Sequence, residues 1–168
     1  ENLIIGLILV LIILGFFLSF RLSLWVAFGI PFSFVGMIAI GIFYGMTINM
    51  ISLFGMILVV GILVDDGIVI AENIYAHYER GKNPMQAALD GTMEVVTPVF
   101  TSVITTVFAF STLLFVGGQM EMMQEMAFSV IAALLFSLIE AFLILPAHLS
   151  SKSVLDNNTN SKFSVIKE

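Results

Sequence analysis

Five long apolar runs, separated by short polar stretches, dominate the chain. They cover approximately residues 3–20, 24–44, 49–73, 95–116 and 126–149. A helix needs about 20 apolar residues to cross a bilayer, and each run is close to that length. The pattern therefore predicts an all-α membrane protein, with five transmembrane helices forming one bundle within residues 1–149.

The longest polar connection, residues 75–94, lies between the third and fourth runs. Asn83 followed by Pro84 is typical of a helix N-cap with proline in the first turn. A short amphipathic helix over about residues 84–93 is therefore expected in the cytoplasmic membrane interface. Residues 150–168 are polar and are predicted to be a cytoplasmic tail or linker. Because the chain starts without Met and without a basic leader, it is interpreted as a piece of a longer polypeptide.

Composition excludes several classes of protein. Hydrophobic residues make up 60% of the chain and charged residues 11%, whereas soluble domains are typically about 45–50% apolar. There is no cysteine, which rules out disulfides and thiolate metal sites. The six basic residues form no stripe, which argues against nucleic-acid binding. The sequence has no phosphate-binding glycine loop and no metal-ligand spacing, so neither a metal nor a cofactor is expected.

The basic residues also predict the orientation. Five spans place successive connections on alternate sides of the membrane, and all six basic residues then fall on one side: Arg21, Arg80, Lys82, Lys152, Lys162 and Lys167. Positive charge accumulates on the cytoplasmic side of membrane proteins. The N-terminus of the chain is therefore predicted to be periplasmic and its C-terminus cytoplasmic.

Two adjacent acids, Asp65 and Asp66, interrupt the third apolar run. A charged side chain near the bilayer centre costs about 2.5–3.5 kcal/mol on insertion scales, and intramembrane carboxylates usually mark an ion or proton pathway. Neighbouring helical positions differ by about 100°, yet both carboxylates can face one polar cleft. Such acids titrate as a coupled pair, which can take up a proton on one side and release it on the other.

Other residues of the same run extend this hypothesis. Glu72 and Asn73 follow the pair after seven residues, which continues the same two helix faces as a polar lane toward the cytoplasm. Gly61 and Gly67 would let a neighbouring helix approach closely. No Lys or Arg lies within the five runs, so a countercharge must come from helices outside this chain, or the acids stay largely protonated. Alternatively, the pair only locks helices together by hydrogen bonds.

Several segments resemble the resistance-nodulation-division (RND) efflux permeases. In residues 49–74, the doubled aspartate followed by Glu-Asn is similar to the fourth transmembrane helix of such pumps. Further similarities lie at Arg21 and at residues 84–88, 115–118 and 145–149. The resemblance covers nearly the whole chain and implies transmembrane helices two to six of the N-terminal half of a permease.

This resemblance implies a secondary transporter rather than an enzyme. Proton flow across the bacterial inner membrane would drive the export of drugs or other amphiphiles. The family implies twelve helices, usually a homotrimer, and a periplasmic adaptor and outer-membrane channel as partners. It assigns the proton relay to Asp65 and Asp66, with Lys and Arg partners in the other half of the pump. The doubled aspartate favours the drug and amphiphile branch over the metal-cation branch.

Two features leave alternatives open. Glu140 lies in the fifth run, where the best-known drug pumps are apolar; it is either an additional proton acceptor or a packing residue that is protonated or hydrogen-bonded. Hydroxyl side chains recur along one face of the fourth run, and they either carry water toward the aspartates or bond their own backbone. These residues are Thr97, Thr101, Thr105 and Thr112.

The two histidines are given structural roles. His77, in the polar connection, is expected to be a surface residue at the membrane interface, and His148 is expected to cap the end of a helix.

Two other classes of function also fit the aspartate pair. One is a subunit of a cation or proton channel with an acidic ring, and the other is a non-transporting membrane assembly component with the same fold.

Overall fold

The computed structural model describes residues 12, 20–116, 121–151 and 155. These residues contain helices and turns and no strand. The five helices are α1, Phe20–Phe43; α2, Met50–Glu79; α3, Pro84–Ser111; α4, Glu121–Ile139; and α5, Leu145–Leu149. A 3₁₀ turn, Thr112–Phe115, continues α3, and a π-helical turn, Glu140–Ile144, joins α4 to α5.

Four helical stretches of the described residues are long and apolar enough to cross a membrane. They are Leu22–Phe43, Met50–Glu79, Pro84–Phe115 and Met122–Leu149, and they overlap the last four predicted runs. The predicted all-α membrane class is confirmed. The first predicted run, residues 3–20, lies outside the described residues except for positions 12 and 20.

The turn between α2 and α3 is much shorter than the sequence suggests. Helix α2 continues to Glu79 and α3 begins at Pro84, which leaves only residues 80–83 for the connection. Most of the polar connection predicted over residues 75–94 is therefore helical, as the end of α2 and the beginning of α3. Gly81 has a φ of 91°, a left-handed backbone conformation that glycine adopts without a steric penalty, and this allows the chain to reverse within so few residues.

The start of α3 is predicted correctly, but its end is not. The side-chain oxygen of Asn83 accepts a hydrogen bond from the Gln86 N–H at 2.9 Å, and Pro84 occupies the first turn. The predicted short helix over residues 84–93 does not stop before the apolar run. No proline interrupts the helix until Pro98, and α3 accommodates that residue and continues.

Neighbouring helices approach one another closely at small residues. A Cβ added to Gly91 of α3 would lie 2.6 Å from the Cα of Ile74 in α2. A Cβ added to Gly36 of α1 would lie 2.4 Å from the ring of Phe136 in α4. Because apolar burial does not drive association between helices in lipid, packing at small residues is an important source of stability there.

A polar cluster joins the beginning of α2 to the beginning of α4. Asn49 caps α2, since its side-chain oxygen accepts hydrogen bonds from the N–H groups of Ile51 at 2.9 Å and Ser52 at 2.8 Å. Its side-chain amide donates to Glu125 of α4. The hydroxyl of Thr47 donates to the same carboxylate at 2.8 Å. One acid therefore fixes this end of both helices.

At the opposite end of the bundle, α1 contacts α5. The rings of Trp25 and His148 are stacked, with centroids 3.9 Å apart and planes inclined by 14°. His148 lies in the last turn of α5, so it packs against a neighbouring helix near a helix end.

Leu155, a described residue of the predicted tail, is buried in the core. This position of the tail therefore packs on the bundle.

The buried apolar side chains form two clusters. One joins α1, α2, α3, the π turn and α5, and it includes Val26, Val64, Ile70, Val99, Ala141 and Leu145. The other joins the four long helices through Met37, Val59, Leu63, Val103, Val130 and Leu134. The aspartate pair of α2 lies in sequence between Val64 and Ile70, two members of the first cluster.

Candidate functional site

The two aspartates have different surroundings. Asp66 is buried, with 7% of its surface exposed, and its Oδ2 atom has no hydrogen-bond partner among the described residues. Asp65 is exposed. Because adjacent helical positions point about 100° apart, one carboxylate faces the interior of the described bundle while the other faces outward. The described helices therefore do not enclose both acids in one cleft.

The two glycines near the pair also differ. A Cβ added to Gly67 would lie 2.9 Å from a methyl carbon of Val26, so α1 packs closely against α2 directly after Asp66. A Cβ added to Gly61 would have no neighbour within 4 Å. The predicted close approach of a helix is thus present at Gly67. At Gly61, one turn before Asp65, no described helix uses the space.

Asp65 belongs to a continuous open face of α2. Exposed residues recur at spacings of three or four along this face: Phe54, Ile57, Gly61, Asp65, Val69 and Glu72. This spacing is that of one side of an α-helix. No described helix covers this face, which is apolar except at its acids. We name this set of residues the open face of α2.

Glu72 and Asn73 repeat the two environments of the aspartates. Glu72 is exposed and lies on the open face, as Asp65 does. Asn73 is partly buried, and its side-chain amide donates hydrogen bonds to the Gly91 carbonyl at 2.7 Å and to Glu94 at 3.3 Å. The two residues thus continue the two faces of the pair, as predicted. Asn73, however, is engaged in binding α3.

His77 is not the surface residue that the sequence suggests. It is 8% exposed, and its Nε2 atom lies 2.7 Å from a carboxylate oxygen of Glu94 in α3. Its Nδ1 atom has no partner among the described residues. The short turn over residues 80–83 explains the difference, because it folds α3 back directly onto the last turns of α2. A signal was present in the sequence, since Asn73 and His77 are four residues apart on one helix face.

Glu140 is the other buried acid of the described residues. It is 5% exposed and opens the π-helical turn. Its side chain makes no hydrogen bond or ion pair with any described residue. The hydrogen-bonded alternative raised for this residue therefore has no counterpart in the structure, and the structure does not bring Glu140 into contact with the aspartate pair.

Comparison with known proteins decides the family. The model of the AcrB/AcrD/AcrF family matches residues 1–165, which is nearly the whole chain. The chain belongs to the AcrB/AcrD/AcrF family. This family consists of RND permeases, so the resemblance of the aspartate helix and the other segments to that family is confirmed.

Curated relatives agree with membership of the AcrB/AcrD/AcrF family. An uncharacterized transporter of Haemophilus influenzae is 34% identical over 152 residues, which cover 90% of this chain. The multidrug resistance protein MdtC of Escherichia coli is 35% identical and that of Salmonella schwarzengrund 36% identical, each over 148 residues and 87% of this chain. The chain spans only 14–15% of the length of these relatives. It is a multi-pass segment of an inner-membrane RND permease.

The hydroxyl groups of α3 bond to their own helix in this RND segment. Thr101 donates to the Thr97 carbonyl, and Thr105 donates to the Thr101 carbonyl, each at 2.7 Å. The hydroxyl of Thr112 donates to the Ala109 carbonyl, also at 2.7 Å. Of the two alternatives for this stripe, backbone bonding is the one observed. The hydroxyls of Thr101, Thr105 and Thr112 are thus satisfied by backbone carbonyls, although all three residues are exposed.

Proposed function

We propose that this chain is the membrane segment of a proton-driven RND efflux pump in which Asp65 and Asp66 form the proton-relay site. The proposal rests on one observation above all: Asp66 is buried with one carboxylate oxygen unpartnered, next to an acid on the open face. An arrangement that served only to lock helices would satisfy these oxygens, because an unpaired buried polar atom is costly.

The open face of α2 explains how such a relay would be completed. No described residue pairs with Asp65 or Asp66 as a cation; the described ion pairs are His77–Glu94 and Lys82–Asp90. A Lys or Arg from the remaining half of the permease, seated on the open face at Gly61 and Asp65, would supply the missing charge. Protonation of the pair would weaken that attraction, so proton uptake and helix movement would be linked.

The energy source and the cargo follow from the same proposal. The proton gradient drives export, and neither a nucleotide nor another cofactor takes part. The exported molecules are drugs or similar amphiphiles. This is supported by the name of the MdtC relatives, which are multidrug resistance proteins. The residues that select the cargo would lie in the parts of the permease beyond this segment.

The topology supports an orientation for the segment. The turn after α2 carries Arg80 and Lys82, and positive charge favours the cytoplasmic side. We place this turn and the C-terminal end of the chain in the cytoplasm, and the cluster around Glu125 on the periplasmic side. The working pump would be a homotrimer that binds a periplasmic adaptor and an outer-membrane channel.

Glu72 would extend the relay toward the cytoplasm. It lies on the open face two turns beyond Asp65, and a helix of 3.6 residues per turn brings positions seven apart onto nearly the same side. Asn73 would instead hold α2 against α3, through its bond to the Gly91 carbonyl. Glu72 is therefore the secondary proton-carrying residue that this proposal favours, and Asn73 the positioning residue.

Dye accumulation in a pump-deficient bacterial host tests the relay. The full-length permease would be compared with its Asp65→Asn and Asp66→Asn variants at matched expression. Each variant is expected to lose export, because an amide cannot carry the proton. The matched control is Glu79→Gln, which neutralises an exposed acid at the end of the same helix and should leave export intact. Full export by both aspartate variants would contradict the proposal.

A second measurement separates an exporter from a channel. Proton flux into proteoliposomes would be followed with and without an exported dye. A coupled exporter moves protons in a manner that depends on the dye, whereas a channel conducts regardless of it. Dye-independent proton flux that disappears in Asp66→Asn would favour the channel.

A further inference from the structure

Glu140 is not part of the proposed relay, but like Asp66 it is a buried carboxylic acid. The side chain is 5% exposed, lies within an apolar helix, and has neither a hydrogen-bond partner nor a cation among the described residues. An ionised carboxylate without a partner in such a place is costly. The side chain is thus suited to hold a proton for as long as its surroundings remain closed.

The carboxylate of Glu140 lies in a slot beside Gly29 of α1. A Cβ added to Gly29 would lie 2.6 Å from one carboxylate oxygen of Glu140 and 3.0 Å from the other. The end of the acid side chain therefore occupies the space that a larger residue at position 29 would fill. One helix turn before Glu140, Phe136 fills the equivalent space at Gly36, where an added Cβ would lie 2.4 Å from its ring. The two glycines and their partners form one seam between α1 and the α4–π-turn segment.

The backbone at this point is irregular. The Leu145 N–H bonds to the Glu140 carbonyl, which is the wider π-helical pattern. Pro146 follows directly, and its ring would clash with the carbonyl four residues before it in a regular helix. The wide turn relieves that clash. Turns of this kind are often found at functional sites.

Among the described side chains of the surrounding helices, no ionisable group forms a hydrogen bond or an ion pair with Glu140. The elements packed on the π turn are α1, α2, α4 and α5. The ionisable side chains described on these elements are Tyr44 just after α1, Asp65, Asp66, Glu72, Tyr75, His77, Tyr78 and Glu79 on α2, Glu125 on α4, and His148 on α5. None of them forms a hydrogen bond or an ion pair with Glu140. The acid therefore makes no direct bond to the aspartate pair.

We propose that Glu140 is a second proton-binding site of the segment, closed by Gly29 and emptied when α1 separates from the π turn. In the closed state the carboxylic acid is neutral. Separation lets water reach the acid and accept its proton. The carboxylate takes up a proton from water again before the slot closes. Proton binding at Glu140 does not require the aspartate relay, whereas its exchange during turnover rests on the proposed function.

Labelling with dicyclohexylcarbodiimide tests the site, because this apolar reagent reacts with protonated carboxylic acids within membranes. The full-length permease in proteoliposomes would be labelled over a range of pH, and the adduct on the peptide containing residue 140 would be measured by mass spectrometry. Glu140 is expected to be labelled at neutral pH, whereas the exposed Glu72 is not. The Glu140→Gln variant should carry no adduct at this peptide. If Glu140 carried no label over the whole pH range, the proposal would be overturned.

Two glycine variants test the slot. Gly29→Ala forces the end of the Glu140 side chain out of its closed position, so the labelling should be lost at a lower pH than in the wild type. Gly36→Ala is the matched control, because it disturbs the same seam at Phe136 and not at the acid. Its labelling profile at Glu140 should remain that of the wild type. Identical profiles in all three proteins would contradict a role for the slot.

Turnover distinguishes proton exchange from static packing. Labelling of Glu140 is expected to decrease when a proton gradient and an exported dye are supplied, since the site then empties in each cycle. Equal labelling at rest and during turnover would identify a permanently neutral packing residue and reject the exchange. The resting label should survive Asp66→Asn. Loss of export in that variant tests the relay and the resting label tests this site, so the two proposals can fail separately.

Discussion

The Nε2 atom of His77 lies 2.7 Å from a carboxylate oxygen of Glu94, and this contact fastens the end of α2 to the beginning of α3. Asn73, one turn before His77, donates to the same carboxylate at 3.3 Å and to the Gly91 carbonyl at 2.7 Å. Three side chains and one carbonyl thus hold the helix that carries the aspartates.

His77 and Glu94 should therefore be coupled in stability. His77→Ala is expected to lower the thermal stability of the permease more than Glu94→Gln does, because His77 is buried and leaves a space behind. In the double variant the losses should not add, since removal of either partner already breaks the contact. Thermal unfolding of the purified single and double variants measures this, and strictly additive losses would show that the two residues act independently.

The crossing of α2 and α3 should not tolerate a side chain at Gly91. A Cβ there would lie 2.6 Å from the Ile74 Cα and 2.8 Å from its nitrogen, both backbone atoms. Backbone cannot move aside as a side chain can, so Gly91→Ala should cost about 1–3 kcal/mol in unfolding free energy, the usual range for overpacking.

The control for this prediction is Gly41→Ala in α1. The nearest atom to its added Cβ is the terminal methyl of Met46, at 3.0 Å, and a flexible methionine can adapt. Denaturation of both variants would compare the sites directly. A loss at Gly41 equal to that at Gly91 would mean that the helix crossing is looser than the structure indicates.

Asn49 and Asn83 offer a matched pair of helix caps. Each side-chain oxygen accepts backbone N–H bonds at the start of its helix, and loss of such a cap costs about 1 kcal/mol. Asn49 also donates to Glu125 of α4, whereas the described contacts of the Asn83 side chain stay within its own cap. Asn49→Ala should thus destabilise the permease more than Asn83→Ala. Equal losses would show that the link to Glu125 contributes little.

The sequence predicts those features that depend on local rules. The cap at Asn83 and Pro84 follows from residue types at neighbouring positions, and the two faces of the Asp65 helix follow from helical geometry. The contact of His77 with Glu94 could not be predicted in this way. It joins residues 17 positions apart across a turn, and its existence depends on the length of that turn. The start of α3 at Pro84 can be predicted from the sequence, whereas the length of the turn before it cannot.

The slot of Glu140 was beyond sequence reasoning for a different reason. The acid was recognised as unusual, but its partner Gly29 lies on another helix more than one hundred residues earlier. Whether two distant positions meet depends on how closely their helices pack. That distance depends on all the small residues along the seam. For Asp65 and Asp66, the sequence predicts two different helix faces, and the structure shows which of the two acids is buried.

The open face of α2 should be sensitive to added bulk even though the described helices leave room for it. A Cβ on Gly61 would meet nothing within 4 Å, so Gly61→Leu should leave the packing of the described helices intact. If a helix of the remaining half of the permease seats on this face beside Asp65, the larger side chain displaces that helix. Export is then expected to fall sharply at normal expression, since misplacing a charge partner disables the relay.

Dye accumulation in cells carrying Gly61→Leu measures this effect. Ala39→Leu in α1 provides the control, because it adds a comparable side chain at another exposed helical position and is expected to retain export. Normal export by Gly61→Leu would mean that no helix packs at this turn of α2. The countercharge for Asp65 would then have to approach from a different direction, and the open face would be a lipid-facing surface.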